Sequence, residues 1–123
     1  MTAQRVLVTG SSKGIGKAIA LALAKDGFQV TLHCRSDMQS AVEAQAEFKA
    51  FDQCPDILQF DISDRQSASQ ILNDYVEQHG HFYGVICNAG VTRDNAFPAM
   101  PADDWDAVLR TNLDGFYNVV HPL

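Results

Sequence analysis

The chain has 123 residues, of which 46% are hydrophobic and 20% charged, a size and balance that suit one folded domain and exclude a disordered one. A formal net charge of −6 with no Lys/Arg cluster argues against nucleic acid and against an anionic membrane surface as partners. The three cysteines, Cys34, Cys54 and Cys87, have no metal-ligand spacing and are expected as buried, inert thiols in a reducing, cytoplasmic setting, while no apolar run is long enough to span a bilayer.

Gln4–Thr9, with Val6, Leu7 and Val8, reads as a first strand. Thr9-Gly10-Ser11-Ser12-Lys13-Gly14-Ile15-Gly16 follows and opens a helix over Gly14–Asp26, with Ile15, Ala18, Ile19, Ala22 and Leu23 as its apolar set and Gly27 as its end. Phe28, Val30, Leu32 and Cys34 alternate with polar residues as a second strand. A helix to about Phe51, started by Ser36 or Asp37, leads to a third strand at Ile57–Asp61. Ser63 with Gln66 has the form of a capping box for a helix that Gly80 ends. Tyr83–Asn88 is a fourth strand, Val91–Ala102 a loop, and Asp103 onward a helix carrying Trp105 as a core or interface anchor.

The βαβαβαβα alternation predicts a parallel sheet with helices on both faces. With strand order 3-2-1-4, the chain reverses direction across the sheet between strands one and four, and ligands bind at such a switch point. Both the glycine stretch and Asn88-Ala89-Gly90 emerge there. A strand–glycine loop–helix junction aims backbone N–H groups and the positive end of a helix dipole at one spot, which suits a phosphate. Gly10 permits the turn, and Gly14 and Gly16 remove Cβ atoms that would block a pyrophosphate or hold the helix off the sheet. Ser11, Ser12 and Ile15 are expected to line this loop through backbone or hydroxyl groups. The alternative is a tight connection with no ligand.

Where an NAD enzyme places an acid at the end of the second strand, this chain has His33-Cys34-Arg35-Ser36. Arg35 offers a planar donor for the 2′-phosphate of NADP, and Lys13 a second cation. Both are otherwise solvated surface charges, and Asp37 either serves the ribose or caps a helix. Asn88 carries a donor and an acceptor, with Ala89 and Gly90 small enough for backbone to approach a ligand. Asn112 falls on the apolar stripe of the last helix, where a buried amide needs partners. His33, His79, His81 and His121 lack metal spacing and are expected at the surface or at helix ends.

The spacing G-x-x-x-G-x-G, with Asp61, Asn88-Ala89-Gly90 and Thr111-Asn112-Leu113 in that order, resembles the short-chain dehydrogenase/reductase family over the whole chain. Asn88-Ala89-Gly90-Val91-Thr92-Arg93-Asp94-Asn95 and Asp104-Trp105 are most similar to its members that reduce 3-oxoacyl thioesters on acyl carrier protein. The resemblance implies a Rossmann-like doubly wound sheet and NADP as cofactor. It implies that Asp61 bonds the adenine amino group with Ile62 beside the ring, that Asn88-Ala89-Gly90 passes under the ribose, and that Asn112 interrupts its helix to hold a water on the proton path. It also implies an acyl-carrier-protein-bound substrate and a homotetramer. Family members carry a catalytic serine and a Tyr-x-x-x-Lys pair further along; this chain has no such pair, since Tyr75, Tyr83 and Tyr117 are followed at that spacing by His79, Cys87 and His121. Residues 1–123 are therefore expected to be the cofactor-binding, N-terminal part of a longer enzyme and to be inactive alone. Another reductase or alcohol dehydrogenase of the family, or a nucleotide-binding module without catalysis, are the alternatives.

Overall fold

β1 (Arg5–Val8) lies inside a four-stranded parallel sheet of order β3-β2-β1-β4, between β2 (Gln29–Cys34) and β4 (Gly84–Ile86), with β3 (Ile57–Gln59) beyond β2. This is the doubly wound 3-2-1-4 arrangement that the alternation predicts. The computed structural model describes residues 4–90 and 96–123, and the Thr92-Arg93-Asp94 loop lies outside the described residues. Register pairs Val8 with Leu32 on one side and with Ile86 on the other.

The two faces of β1 feed two cores. Val6 and Val8 join Val30, Leu32, Ala20, Ala24, Ala44 and Phe48, beneath α1 (Gly14–Lys25) and α2 (Met38–Glu47). Leu7 joins Leu58, Phe60, Ile62, Leu72, Tyr75 and Val119, beneath α3 (Arg65–His79) and α5 (Gly115–Val120). Burial on both faces is what a parallel sheet requires, and it explains why Thr31 and His33 are buried together with Val30 and Leu32.

Several local expectations are corrected. The inward face of α1 is Gly16, Ala20 and Ala24, not the larger apolar set, and Ile15 is 74% exposed; small residues at i, i+4, i+8 let the helix lie close to the sheet. α3 is capped by Asp64, whose carboxylate accepts the Ser67 N–H, rather than by Ser63. Asp37 caps α2 by accepting the Ser40 N–H, as the capping alternative expects. α2 tightens into a 3₁₀ turn over Phe48–Phe51. A 3₁₀ turn at Phe97–Ala99 precedes α4 (Ala102–Val108), and Trp105 is half exposed. Of the cysteines only Cys34 is buried; Cys54 and Cys87 are exposed, Cys87 because it leaves β4, whose one strand neighbour among the described residues is β1. No helix among the described residues is long and apolar enough to cross a membrane.

Candidate nucleotide site

Gly10 turns the chain off β1 with φ +62°, and its peptide groups are gripped from both flanking strands. Its N–H donates to His33 Nδ1 at 3.0 Å, and its carbonyl accepts from Asn88 Nδ2 at 3.1 Å. The Ser11 N–H donates to the His33 carbonyl at 3.0 Å, and the His33 N–H returns a bond to Ser11 Oγ at 2.9 Å. Ser11 is thus fully buried, and its hydroxyl is engaged with β2, so of the two expected kinds of contact, backbone or hydroxyl, the hydroxyl serves as a latch behind the loop. Ser12 stays half-buried on the crevice side and Lys13 is extended. Lys13 stands at the N-cap of α1 with no side-chain cap bond, so the first N–H groups of α1 remain free of a capping side chain. Gly14 has φ +63° and open space where a Cβ would stand, whereas a Cβ on Gly16 would sit 2.2 Å from the Gly10 carbonyl oxygen.

A crevice of about 320 Å³ opens at this mouth, lined by Gly10, Ser12 and Lys13, by the end of β2 with Arg35 and Asp37, by Asp61 and Ile62 after β3, and by Asn88-Ala89-Gly90 after β4. Of the sequence-predicted residues, Gly10, Ser12, Lys13, Arg35, Asp61, Ile62, Asn88, Ala89 and Gly90 converge on it, whereas Ser11 lies behind the loop, Ile15 faces outward, and Gly14, Gly16 and Asn112 do not line it. Arg35 Nε lies 3.4 Å from Asp61 Oδ2, and Lys13 Nζ lies 3.7 Å from Asp37 Oδ2, so each cation on the rim faces a carboxylate. Asp61 Oδ1 accepts the Ser63 hydroxyl at 2.7 Å and the Ser63 N–H at 2.9 Å, leaving Oδ2 toward the crevice. Partial burial pushes the Asp61 carboxyl up, but the Ser63 bonds with Arg35 and His33 nearby outweigh it and hold it below the ordinary carboxylate range. Bonds from Ser40, with Lys13 beside it, likewise lower Asp37. Ile62 is buried, with Gly115 of α5 so close that a Cβ there would meet Ile62 Cδ1 at 2.7 Å.

Thr9 Oγ1 accepts the N–H groups of both Asn88 and Ala89 at 3.0 Å and so folds the end of β4 over the end of β1. Asn112 lies in a π-helical turn, Leu109–Asp114, between α4 and α5, and its Oδ1 lies against Gly90. A π turn inserts one residue into the helical repeat and marks functional sites often enough to be informative. Asn112 is exposed rather than on the buried stripe, and it borders a smaller cavity of about 130 Å³ with Cys87, Ala89 and Phe116. The buried amide of this helix is Asn118, which accepts from Arg65 Nε at 2.9 Å and donates to the Ile62 carbonyl at 2.9 Å. The extra residue of the π turn shifts the inward positions, which periodicity along an unbroken helix misses.

His33 is a further residue that sequence reasoning placed wrongly. It is 2% exposed, not at the surface. The signal was present, because a parallel sheet covered on both faces buries both sets of alternating side chains. Among the described residues no group of three or more His, Cys, Asp or Glu side chains has the geometry to hold a metal ion.

Comparison with known proteins agrees with this fold. The family model described as short chain dehydrogenase matches residues 4–123. A 3-oxoacyl-(acyl-carrier-protein) reductase of Aggregatibacter actinomycetemcomitans is 55% identical over 120 residues, covering 98% of this chain and 50% of the relative. The reductase of the same description from Staphylococcus aureus is 35% identical over 114 residues, covering 93% of this chain and 46% of the relative. The chain thus spans about half the length of the curated relatives it matches. A gluconate 5-dehydrogenase from Burkholderia cenocepacia, solved with NADP and tartrate, superposes with a TM-score of 0.89 at 29% identity, over 99% of this chain and 48% of that one. A variant of actinorhodin polyketide ketoreductase with NADPH gives 0.89 at 26% identity, over 98% of this chain and 46% of that one.

Proposed function

The chain belongs to the short-chain dehydrogenase family, and from that premise we propose that residues 1–123 are the cofactor-binding part of a longer single-domain NADPH-dependent carbonyl reductase. Its substrates are 3-oxoacyl thioesters on acyl carrier protein, as in fatty-acid-type synthesis, and its setting is the cytoplasm, as a homotetramer. The observation that carries the cofactor reading is the meeting, at one crevice, of a helix start without a side-chain cap and two cations, Lys13 and Arg35. The 55% identity to a reductase so described carries the substrate class.

The residues fit the group. The open space beside Gly14 and the N–H groups at the start of α1 suit a pyrophosphate. Arg35 and Lys13 would hold the 2′-phosphate, Arg35 exchanging the half-buried Asp61 and Lys13 the exposed Asp37 for a dianion, in charge-assisted bonds. Asp61 Oδ2 accepts from the adenine amino group with Ile62 beside the ring, and Asn88-Ala89-Gly90 runs beneath the ribose. When bound, NADPH supplies the hydride for the carbonyl carbon. Asn112, in its π turn beside Gly90, holds a water that leads protons toward the Tyr-x-x-x-Lys pair that family members carry beyond this region. Residues 1–123 alone bind cofactor without catalysis.

The test is made on the full-length protein. NADPH oxidation is followed with acetoacetyl-acyl carrier protein and with keto sugar acids and simple ketones, beside the affinities for NADPH and NADH. The expected result is turnover of the thioester and NADPH bound at least about tenfold more tightly than NADH, as a charged hydrogen bond requires. Tighter NADH binding removes the cofactor assignment; turnover of keto sugar acids or simple ketones without the thioester removes the substrate.

A further inference from the structure

We propose that His33 is the positioning residue of the phosphate loop: its neutral imidazole, joining the Gly10 N–H to the Phe60 carbonyl, holds the loop in the form that receives the cofactor's pyrophosphate. This rests on the nucleotide reading of the crevice. His33 Nδ1 accepts from the Gly10 N–H at 3.0 Å, and Nε2 lies 2.8 Å from the Phe60 carbonyl oxygen. A carbonyl only accepts, so Nε2 carries the proton and Nδ1 is bare. The ring also packs on Phe60 with centroids 4.4 Å apart. One side chain therefore ties the loop after β1 to the residue after β3, across β2.

The geometry leaves the loop little freedom. Asn88 holds the Gly10 carbonyl from the side opposite His33, and the His33 backbone holds Ser11 in register. With these peptide planes fixed, Ser12 and Lys13 are delivered to the crevice side. Without Nδ1, the Gly10 N–H loses its acceptor in a half-buried place and the peptide is free to rotate. A proton on Nδ1 has the same effect in sharper form, because it sets one N–H donor against another.

The charged groups around the ring are few. Asp61, after β3, faces it and is itself paired with Arg35 from the end of β2; Lys13 and Asp37 form a second pair at the rim. The loop and β3 neighbours Gly10, Ser11 and Phe60 carry no charge, and Cys34 is a thiol held protonated by burial and by Asp37. Burial lowers the pKa of His33 below its ordinary 6.5, against the opposing pull of the Phe60 carbonyl and Asp61. The clamp is thus closed at neutral pH and opens only in acid.

Three variants of the full-length protein separate the two ring nitrogens. His33→Asn keeps an acceptor near Nδ1, His33→Gln keeps a donor near Nε2, and His33→Phe keeps neither. NADPH affinity is measured by fluorescence titration from about pH 5.5 to 8, the range in which an imidazole titrates, alongside thermal unfolding and hydrogen exchange of the Gly10 amide without cofactor. His33→Asn is expected to bind NADPH within about threefold of wild type at pH 8, whereas His33→Gln and His33→Phe weaken binding about tenfold or more and speed Gly10 exchange. Wild type is expected to lose more affinity in acid than His33→Asn, a difference that cancels the titration of the 2′-phosphate itself. Retained affinity in folded His33→Phe, or equal losses in His33→Asn and His33→Phe, overturns the proposal. So does an imidazole ¹⁵N spectrum of wild type showing Nδ1 protonated at pH 8, a readout that needs no variant to fold. Slow Gly10 exchange in a wild type that binds no NADPH refutes the nucleotide reading while the clamp stands.

Discussion

Replacing Gly16 by Ala asks how tightly the glycine loop is packed on α1. An added Cβ would lie 2.2 Å from the Gly10 carbonyl oxygen, 2.6 Å from Asn88 Nδ2 and 2.9 Å from the Gly10 carbonyl carbon. The nearest atom is backbone, pinned by the Asn88 bond at 3.1 Å, so relief requires the loop and the helix to move apart by about 1 Å, to an ordinary contact distance. Overpacking of this kind costs about 1–3 kcal/mol, and the lost Asn88 bond about 1 kcal/mol more. Better helix propensity of Ala returns about 1 kcal/mol, so the net expectation is a destabilisation of about 1–3 kcal/mol. Gly14→Ala is the paired control. Its φ of +63° costs about 1–2 kcal/mol, but its methyl meets nothing within 4 Å and projects into space that the proposal assigns to the pyrophosphate. Urea unfolding and NADPH titration of both full-length variants give the answer. Gly16→Ala should lose stability and affinity together, and Gly14→Ala should lose affinity out of proportion to stability. A Gly16→Ala protein as stable as wild type with unchanged affinity refutes the packing argument, and an unimpaired Gly14→Ala refutes the pyrophosphate placement.

Arg35→Ala should lower the NADPH-to-NADH affinity ratio about ten- to a hundredfold, the worth of a hydrogen bond to a charged group, while leaving NADH binding nearly unchanged; an unaltered ratio by fluorescence titration contradicts the role given to the guanidinium. Asn118→Ala leaves Arg65 Nε and the Ile62 carbonyl without their bonds, so urea unfolding should show a loss of about 1–3 kcal/mol, and no loss would mean that water replaces the amide. Asp61 is held below its ordinary carboxylate range in the folded state, so its contribution to stability is complete above the unfolded pKa near 4 and is lost as pH falls through the lower folded value. Asp61→Asn should therefore show a shallower loss of stability with acid than wild type, and parallel curves would refute the assignment. Cys54 should react quickly with a thiol reagent while the buried Cys34 reacts only on unfolding, and equal rates for the two in native protein would contradict the burial.

The strand order and the meeting of loop ends were legible because they follow from alternation and from the switch-point rule, which depend on element type and not on exact boundaries. Gly10, Lys13, Arg35, Asp61 and Asn88 met in one crevice for that reason. Side-chain direction was less legible. Ser11 was expected to line the loop through its backbone or its hydroxyl, and its hydroxyl faces β2, because a serine right after a positive-φ glycine has two ways to turn and only the neighbouring strand decides between them. Asn112 was placed on the buried stripe, yet it is exposed and Asn118 is buried, because the π turn contains Asn112, precedes Asn118 and breaks the regular helical period. Cys87 was read from its apolar neighbours, whereas its exposure depends on whether a strand lies beyond β4, and local composition carries no information on that.

The grip on Gly10 is a consequence of topology before it is a matter of residue choice. β1 has β2 on one side and β4 on the other, so the chain leaving β1 emerges between two strand ends. One end supplies His33 to the Gly10 N–H, and the other supplies Asn88 to its carbonyl. Were β1 an edge strand, one of these polar groups would have to be met by water, and the loop would be fixed from a single side. The 3-2-1-4 order thus explains two features at once: the crevice exists because the connections diverge from the switch point, and the loop that lines it is hydrogen-bonded from both sides because both flanking strands reach it. Substituting either clamp residue should therefore loosen the same peptide, and the losses in cofactor affinity for His33→Phe and Asn88→Ala should combine non-additively, as expected for two groups that share one partner. Independent, additive losses would mean that each side chain acts on a different part of the loop.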